Sequence, residues 1–529
     1  MDHAQPGSNP GRPDSRDSLL PVTADAGRQR RRRIPTELPP NPNIEFLKKQ
    51  AKALLRDFRQ GMPDAIERFA ALQLNAPPKL SDAQYLIARD YGFDSWSMLK
   101  ERAESFAETT ADPLELARKA FQEDNAATVR RLLQLHPRLT AMINDPIAAF
   151  DSPPITRVRS RAMLDVLLEA GADINAKSRW WAGGFGLLDC ASPELAAYAI
   201  QRGAELTVHA AARLGMLGNV KRLISANPEL VHAKGGDGQT PLHFAATIEI
   251  AEYLLDQGAD PDARDVDHES TPAQYMVRSR AKIGRYLIER GCKTDILMAA
   301  ALGDADLVLK HLDADSESIR VRVSDEYFPM VGGKTGGTIY QWELGWYVSA
   351  CQVAKSFGHS DLFRLLTERS PTDEKLLNAC WLHDRGMVET LLTQNPALGA
   401  SLSAAGRRHL AHAARNDDLP AVRLMLMAGL PVNAVSQHHA TALHWAAWHG
   451  NAEMVQLILR HQPDLEDIAN DFQSTPLGWA VHGSENGWHK ETGDYAATME
   501  ALIQAGAKVT GTTKGTEVVR QVLEKYKTM

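Results

Sequence analysis

Between residues 43 and 107 apolar residues recur at helical spacing, with Leu47, Ala51, Leu54, Leu55 and Phe58 forming a stripe opposite Lys48, Lys49, Lys52, Arg56 and Arg59. Gly61 closes that helix. Pro63 sits in the first turn of a second helix running through Ile66 and Phe69, Ser81 can cap a third through Leu86, and Ser95 a fourth through Leu99. The pattern predicts a small all-helical module over residues 43–110. Residues 1–42 lack this periodicity and are rich in Pro, Gly, Asp, Ser and Arg, a composition that cannot bury enough surface to offset the entropy of ordering. A disordered tail is expected there, with Arg28 and Arg30 to Arg33 as a solvated charge run; no apolar stretch follows them, so export is not supported.

Beyond the module the pattern repeats. Thr240-Pro241-Leu242-His243-Phe244-Ala245-Ala246 is echoed at Thr271 to Val277, at Thr441-Ala442-Leu443-His444-Trp445-Ala446-Ala447 and at Thr475 to Val481. Each opens a helix: Thr supplies an N-cap oxygen, Pro, where present, occupies a first-turn position where no N–H partner is missed, and the small pair of the alanine-ended copies lets a neighbouring helix approach. Leu167 to Ala176, Leu254 to Asp260 and Leu502 to Ala507 each end a second helix on a glycine able to take positive φ. Together these segments resemble the ankyrin repeat. The spacing agrees: Gly258 to Gly291 and Gly429 to Gln462 are both 33 residues apart. The resemblance implies an all-α ankyrin-repeat α-solenoid of about twelve helical hairpins with short β-hairpin fingers, whose terminal turns fall at 136, 171, 203, 227, 258, 291, 315, 370, 395, 429, 462 and 506. Intervals near 24 residues are too short for a finger, so there one outer helix must lead almost directly into the next inner helix.

The array is expected over residues 111–510, with inserted loops near 316–345 and 483–495, and a capping helix in 511–529 that Thr516 can start. Ile319 to Val323 and Thr338 to Trp342 alternate as strands, which predicts an extended hairpin with the glycines 332 to 337 at its tip, Trp342 and Trp346 packed back and the tip free for contact. The N-terminal module is similar to a helical segment that precedes ankyrin arrays in many bacterial proteins, through Leu47 to Leu55 and Ala88 to Trp96. That likeness implies a bacterial source.

Composition narrows the function. With 44% hydrophobic and 24% charged residues and no apolar run of membrane length, a soluble folded protein without a membrane span is expected, and the cysteine pattern fits a reducing cytoplasm. The four cysteines, Cys190, Cys292, Cys351 and Cys380, make no CxxC pair and suggest neither a zinc site nor a disulfide framework. A net charge of −7 argues against wholesale nucleic-acid binding.

Several motifs suggest chemistry. Gly332 to Gly337 encloses a Gly-Lys-Thr, but a phosphate loop needs glycine where Phe328 stands. His438, His439, His444 and His449 gather within twelve residues, yet the repeat frame gives His444 a structural role and turns the others in different directions. No GxSxG, HExxH or kinase signature occurs. No catalytic, cofactor-binding or metal-ligating set is expected, and no cofactor. Gln84, Ala88, Gly92 and Met98 match a helix-turn-helix spacing, which leaves DNA binding by the N-terminal helices as an alternative function. Another is a regulatory subunit of an enzyme on a separate chain.

The main expectation is a non-enzymatic protein–protein interaction scaffold that binds an unidentified protein in the concave groove of the array, with no membrane and no small-molecule substrate. The resemblance places two residues after each small pair in that groove. Transferred here, the frame gives Phe357, Trp381, Leu382, Arg415, Asn416, Trp448, His449 and His482, with Gln437 and His438 at a finger tip and Trp488 on the inserted loop. Phe357, Trp381 and Trp448 are expected as exposed aromatic anchors. Arg179, Trp180, Trp181 and Phe185 form a second candidate patch on an early finger.

Overall fold

The computed structural model describes residues 44–74, 76–110, 112–509 and 514–527. The expected disordered tail, with its arginine run, lies outside them. The chain divides into two compact units, up to residue 120 and from residue 121 onward.

The first unit holds helices Ile44–Arg59, Pro63–Ala70, Leu80–Asp90 and Trp96–Thr110. Gly61 and Gly92 turn the chain between helices with φ of +78° and +80°. Leu47, Ala51, Leu54 and Leu55 are buried with Phe69, Ile87, Ala88 and Leu99. Phe58 meets Phe69 edge-on at 5.0 Å, and Trp96 packs on the same core. Two local expectations change. The third helix starts one residue before Ser81, because the Asp82 carboxylate caps the Lys79 N–H at 2.7 Å. In the helix-turn-helix frame, Met98 should pack the second helix onto the first, but it is 50% exposed while Leu99 beside it is buried.

The second unit repeats an inner helix followed by an outer one. Such pairs include Val208–Arg213 with Leu217–Ala226, His409–Arg415 with Leu419–Met427, Ala442–His449 with Ala452–Leu459, and Pro476–Asn486 with Tyr495–Gln504. Each of the twelve expected turn positions falls just after the end of an outer helix. Gly171, Gly258 and Gly429 make that turn with φ between +83° and +94°, where a side chain would be strained. The small pairs Ala211/Ala212, Ala413/Ala414 and Ala446/Ala447 are fully buried where inner helices meet.

The motif histidine explains the regularity. His444 accepts the Thr441 N–H on Nδ1 at 3.3 Å and donates from Nε2 to the carbonyls of Asp467 and Ser474, both at 3.1 Å. His243 does the same between Thr240 and the Ser270 carbonyl. Each imidazole thus caps its own helix and ties it to the next finger. Nδ1 must stay unprotonated to accept, and burial pushes the His243 ring down to about 4.

The fingers differ from expectation. Among the described residues they form no β-hairpin strands, only isolated bridges such as Lys177 with Gly186 and Val435 with Thr441. The finger turns Gly236–Gly238 and Gln437–His439 are single 3-10 turns carrying positive-φ residues, too short to build a ladder.

The expected protruding hairpin is also absent. Ser316–Arg320 is a 3-10 turn, and Tyr340–Glu343 is helical. The glycine-rich stretch folds back onto an earlier finger, where Glu269 accepts the Val331 N–H at 2.8 Å and the Gly336 N–H reaches the Asp267 carbonyl at 2.8 Å. Trp346 packs as expected, 9% exposed, whereas Trp342 stands 74% exposed. Helix Glu517–Lys527 ends the described chain and buries Val519 and Leu523.

Candidate functional site

The repeat frame sets one aromatic side chain at the fifth position of each Thr-headed motif, giving Phe244, Tyr275, Trp445 and Trp479. In the last two repeats those indoles meet edge-on at 5.2 Å. Three residues further along the helix Ala442–His449, Trp448 closes on Trp479 at 6.2 Å and on His482 at 5.6 Å. The loop after Pro476–Asn486 then brings Trp488 across, stacked on Trp445 at 6.0 Å and edge-on to Trp448 at 6.5 Å. From the finger side, Phe472 packs on Trp479 at 5.5 Å and on His438 at 5.2 Å. These rings line a cleft of about 590 Å³ whose polar margin includes Glu485 and Lys514.

The floor is buried and the mouth is not. Trp445 and Trp479 are 4% and 6% exposed, while Phe472 and Trp488 are 60% and 59% exposed. Behind Trp488 lies Arg415, its guanidinium 5.2 Å from that ring, 5.6 Å from Trp445 and 4.1 Å from Trp346. Burial brings the Arg415 pKa down to about 10, with Asp325 acting in the opposite direction. Arg415 donates to Gln437 at 2.9 Å, and Gln437 donates to Asp325 at 3.2 Å. The back of the cleft is therefore tied to the inserted segment. His438 and His439 hold Asp471 at 3.1 and 2.9 Å, which lowers that carboxyl below its usual range. Two members of the histidine group are thus spoken for by a carboxylate, and His444 by the repeat framework.

Four of the sequence-derived candidates, His438, Trp448, His482 and Trp488, come together in this cleft. Arg415 and Gln437 support it from behind, and Asn416 donates to the Trp346 carbonyl at 2.9 Å. Others do not reach it. Trp381 is 6% exposed, faces Tyr347 at 6.2 Å and donates its indole N–H to His409 at 3.0 Å, so it is a core residue and not an exposed anchor. His449 is likewise buried, bonded to the Arg415 carbonyl at 2.9 Å. Phe357 is half-buried beneath the Arg278 guanidinium at 4.7 Å, and Leu382 packs on the hydrophobic core.

In the early patch Trp180 and Trp181 stay in contact at 6.1 Å, but its members are engaged with neighbouring segments. Phe185 packs over Gly236, Trp180 meets Phe150 at 5.1 Å and donates to Asp267, Trp181 lies under Lys334, and Arg179 donates its backbone N–H to the Asp151 carbonyl. Those aromatic rings join fingers to one another. The sequence reading passed over Trp445 and Trp479 because they lie inside the framework motif, and Phe472 because it lies on a finger. The recurring aromatic at the motif's fifth position was the available signal.

Apart from Lys514 and Leu523, the residues lining the cleft fall within residues 410–510, which together with residues 208–298 match the family model described as ankyrin repeats (3 copies). Those two segments are ankyrin repeats. Among curated relatives, the ankyrin repeat and SAM domain-containing protein 6 of Mus musculus is 31% identical over 120 residues, and that of Rattus norvegicus 28% over 118. Each match covers 22% of this chain, which spans 13% of the length of each relative. With the helical hairpins described above, the fold is an all-α ankyrin-repeat solenoid, and the cleft lies between its last two ankyrin hairpins and the helix that follows them.

Proposed function

We propose that this protein is a non-enzymatic protein–protein interaction scaffold, and that a partner polypeptide inserts large apolar side chains into the aromatic cleft. The observation that carries the reading is the exposure of Phe472 and Trp488, 60% and 59%, at the mouth of a cleft floored by buried indoles. Rings of that size held in water at a concave site are the composition of an interface hot spot, where a few Trp side chains supply most of the binding energy. The matching ankyrin repeats support an interaction role. A bacterial, cytoplasmic setting belongs to the same proposal, the source resting on the N-terminal residues Leu47 to Leu55 and Ala88 to Trp96 and the compartment on four cysteines that make no CxxC pair.

Affinity capture of the full chain from its native cells, read by quantitative mass spectrometry, tests this reading. Trp488→Ala and His482→Ala together should deplete the principal co-purifying protein roughly tenfold or more. Trp342→Ala, at a ring more exposed still but outside the cleft lining, should leave it unchanged. Equal recovery with the cleft variant and the wild type would refute the proposal.

A further inference from the structure

A second cluster lies where three fingers meet. Asp237, at the tip of one finger, receives the Val266 N–H on its carbonyl at 2.8 Å, which lays it beside the next finger and its residues Asp267 and His268. One ligand atom from each of these three side chains falls within 4.8 Å of the other two. Asp267 is 6% exposed; its Oδ2 accepts from the Trp180 indole at 3.2 Å, and its Oδ1 is buried with no hydrogen-bond partner among the described residues. An ionised oxygen left so is expensive unless a cation faces it. Oδ1 and the His268 ring converge on the same point, because a Cβ at Gly336 would stand 2.8 Å from the oxygen and 2.9 Å from Cε1 of the ring.

His268 is set for coordination. Its Nδ1–H donates to the Gly337 carbonyl at 2.7 Å, which fixes the tautomer and leaves the Nε2 lone pair free to ligate.

We propose that Asp237, Asp267 and His268 bind a divalent first-row transition-metal ion. Two carboxylates and an imidazole supply the mixed oxygen and nitrogen set that such ions prefer over magnesium. Bound there, the ion joins two fingers directly and, through the His268 bond to Gly337, fastens the inserted glycine-rich segment over them. Its role is that of a staple.

The test is isothermal titration of the chelator-treated full chain with Zn²⁺ and separately with Mg²⁺, alongside thermal melting. The wild type should bind Zn²⁺ at a site that raises its melting temperature, and Mg²⁺ far more weakly. His268→Gln, which keeps a donor for the Gly337 carbonyl, and Asp267→Asn should each weaken that site roughly tenfold or more and abolish the thermal shift. Should Asp267→Asn fail to fold, His268→Gln decides alone. Wild-type zinc affinity and thermal shift in His268→Gln would overturn the proposal, and so would equal affinity for Mg²⁺ and Zn²⁺.

Discussion

Arg322 and Glu374 form an ion pair at 2.6 Å with side chains 1% and 4% exposed, joining the inserted segment to the inner helix Thr372–Trp381. Asn378 and Gln352 accept from the same guanidinium at 3.2 and 3.3 Å, so the charge is largely satisfied within the protein. Removing one partner leaves a buried charge uncompensated. Glu374→Ala should therefore cost about 3–5 kcal/mol in urea denaturation. Arg322→Met combined with Glu374→Leu should cost clearly less than either single substitution, and a double mutant no better than the singles would show that the pair is not the decisive contact.

Trp381 and Trp488 should respond in opposite ways. Alanine at Trp381 removes a core indole and its bond to His409, with an expected loss of about 3–5 kcal/mol and no change in partner capture. Alanine at Trp488, an exposed ring, should cost under about 1 kcal/mol and reduce capture. Matching stability losses for the two would contradict the assignment of one to the core and the other to the cleft mouth.

The buried histidines make stability acid-sensitive. Burial lowers His243 from 6.5 to about 4, and also depresses His409 and His412, so the unfolded chain binds more protons than the folded one in this window. Their contribution is complete above pH 6.5 and is lost as the pH falls toward 4, with roughly 3 kcal/mol from His243. Melting temperatures measured from pH 7.5 to 4.5 should fall steadily below about pH 6.5. A flat profile across that range would show that these rings are not held neutral.

What the sequence disclosed was governed by contact distance along the chain. Thr475 capping Gly478 at 3.2 Å, the positive-φ turn at Gly429 and the buried pair Ala446/Ala447 are local, and each was readable from neighbouring residues. The inserted segment was misread as a hairpin because its partners are remote: Glu269 for Val331, Glu374 for Arg322, Arg415 for Trp346. Alternation alone cannot distinguish a strand from a segment laid across other fingers. Trp381 was misplaced for the same reason, since Tyr347 and His409, which enclose it, come from separate repeats. The repeat frame places Trp448 and His482 at the cleft, but Trp445 and Trp479, which floor it, sit inside the framework motif and carry no signal beyond it.

Site-directed photo-crosslinking on the full chain tests the interaction site most directly. A photoreactive residue at position 482, on the cleft margin, is compared in native cells with one at Arg423, exposed on the outer helix Leu419–Met427. The aromatic cleft as interface requires one discrete crosslinked polypeptide from position 482 that disappears when Trp488 is also changed to alanine, and none from position 423. Equal crosslinking at both positions, or a position 482 adduct indifferent to Trp488→Ala, would place the partner elsewhere.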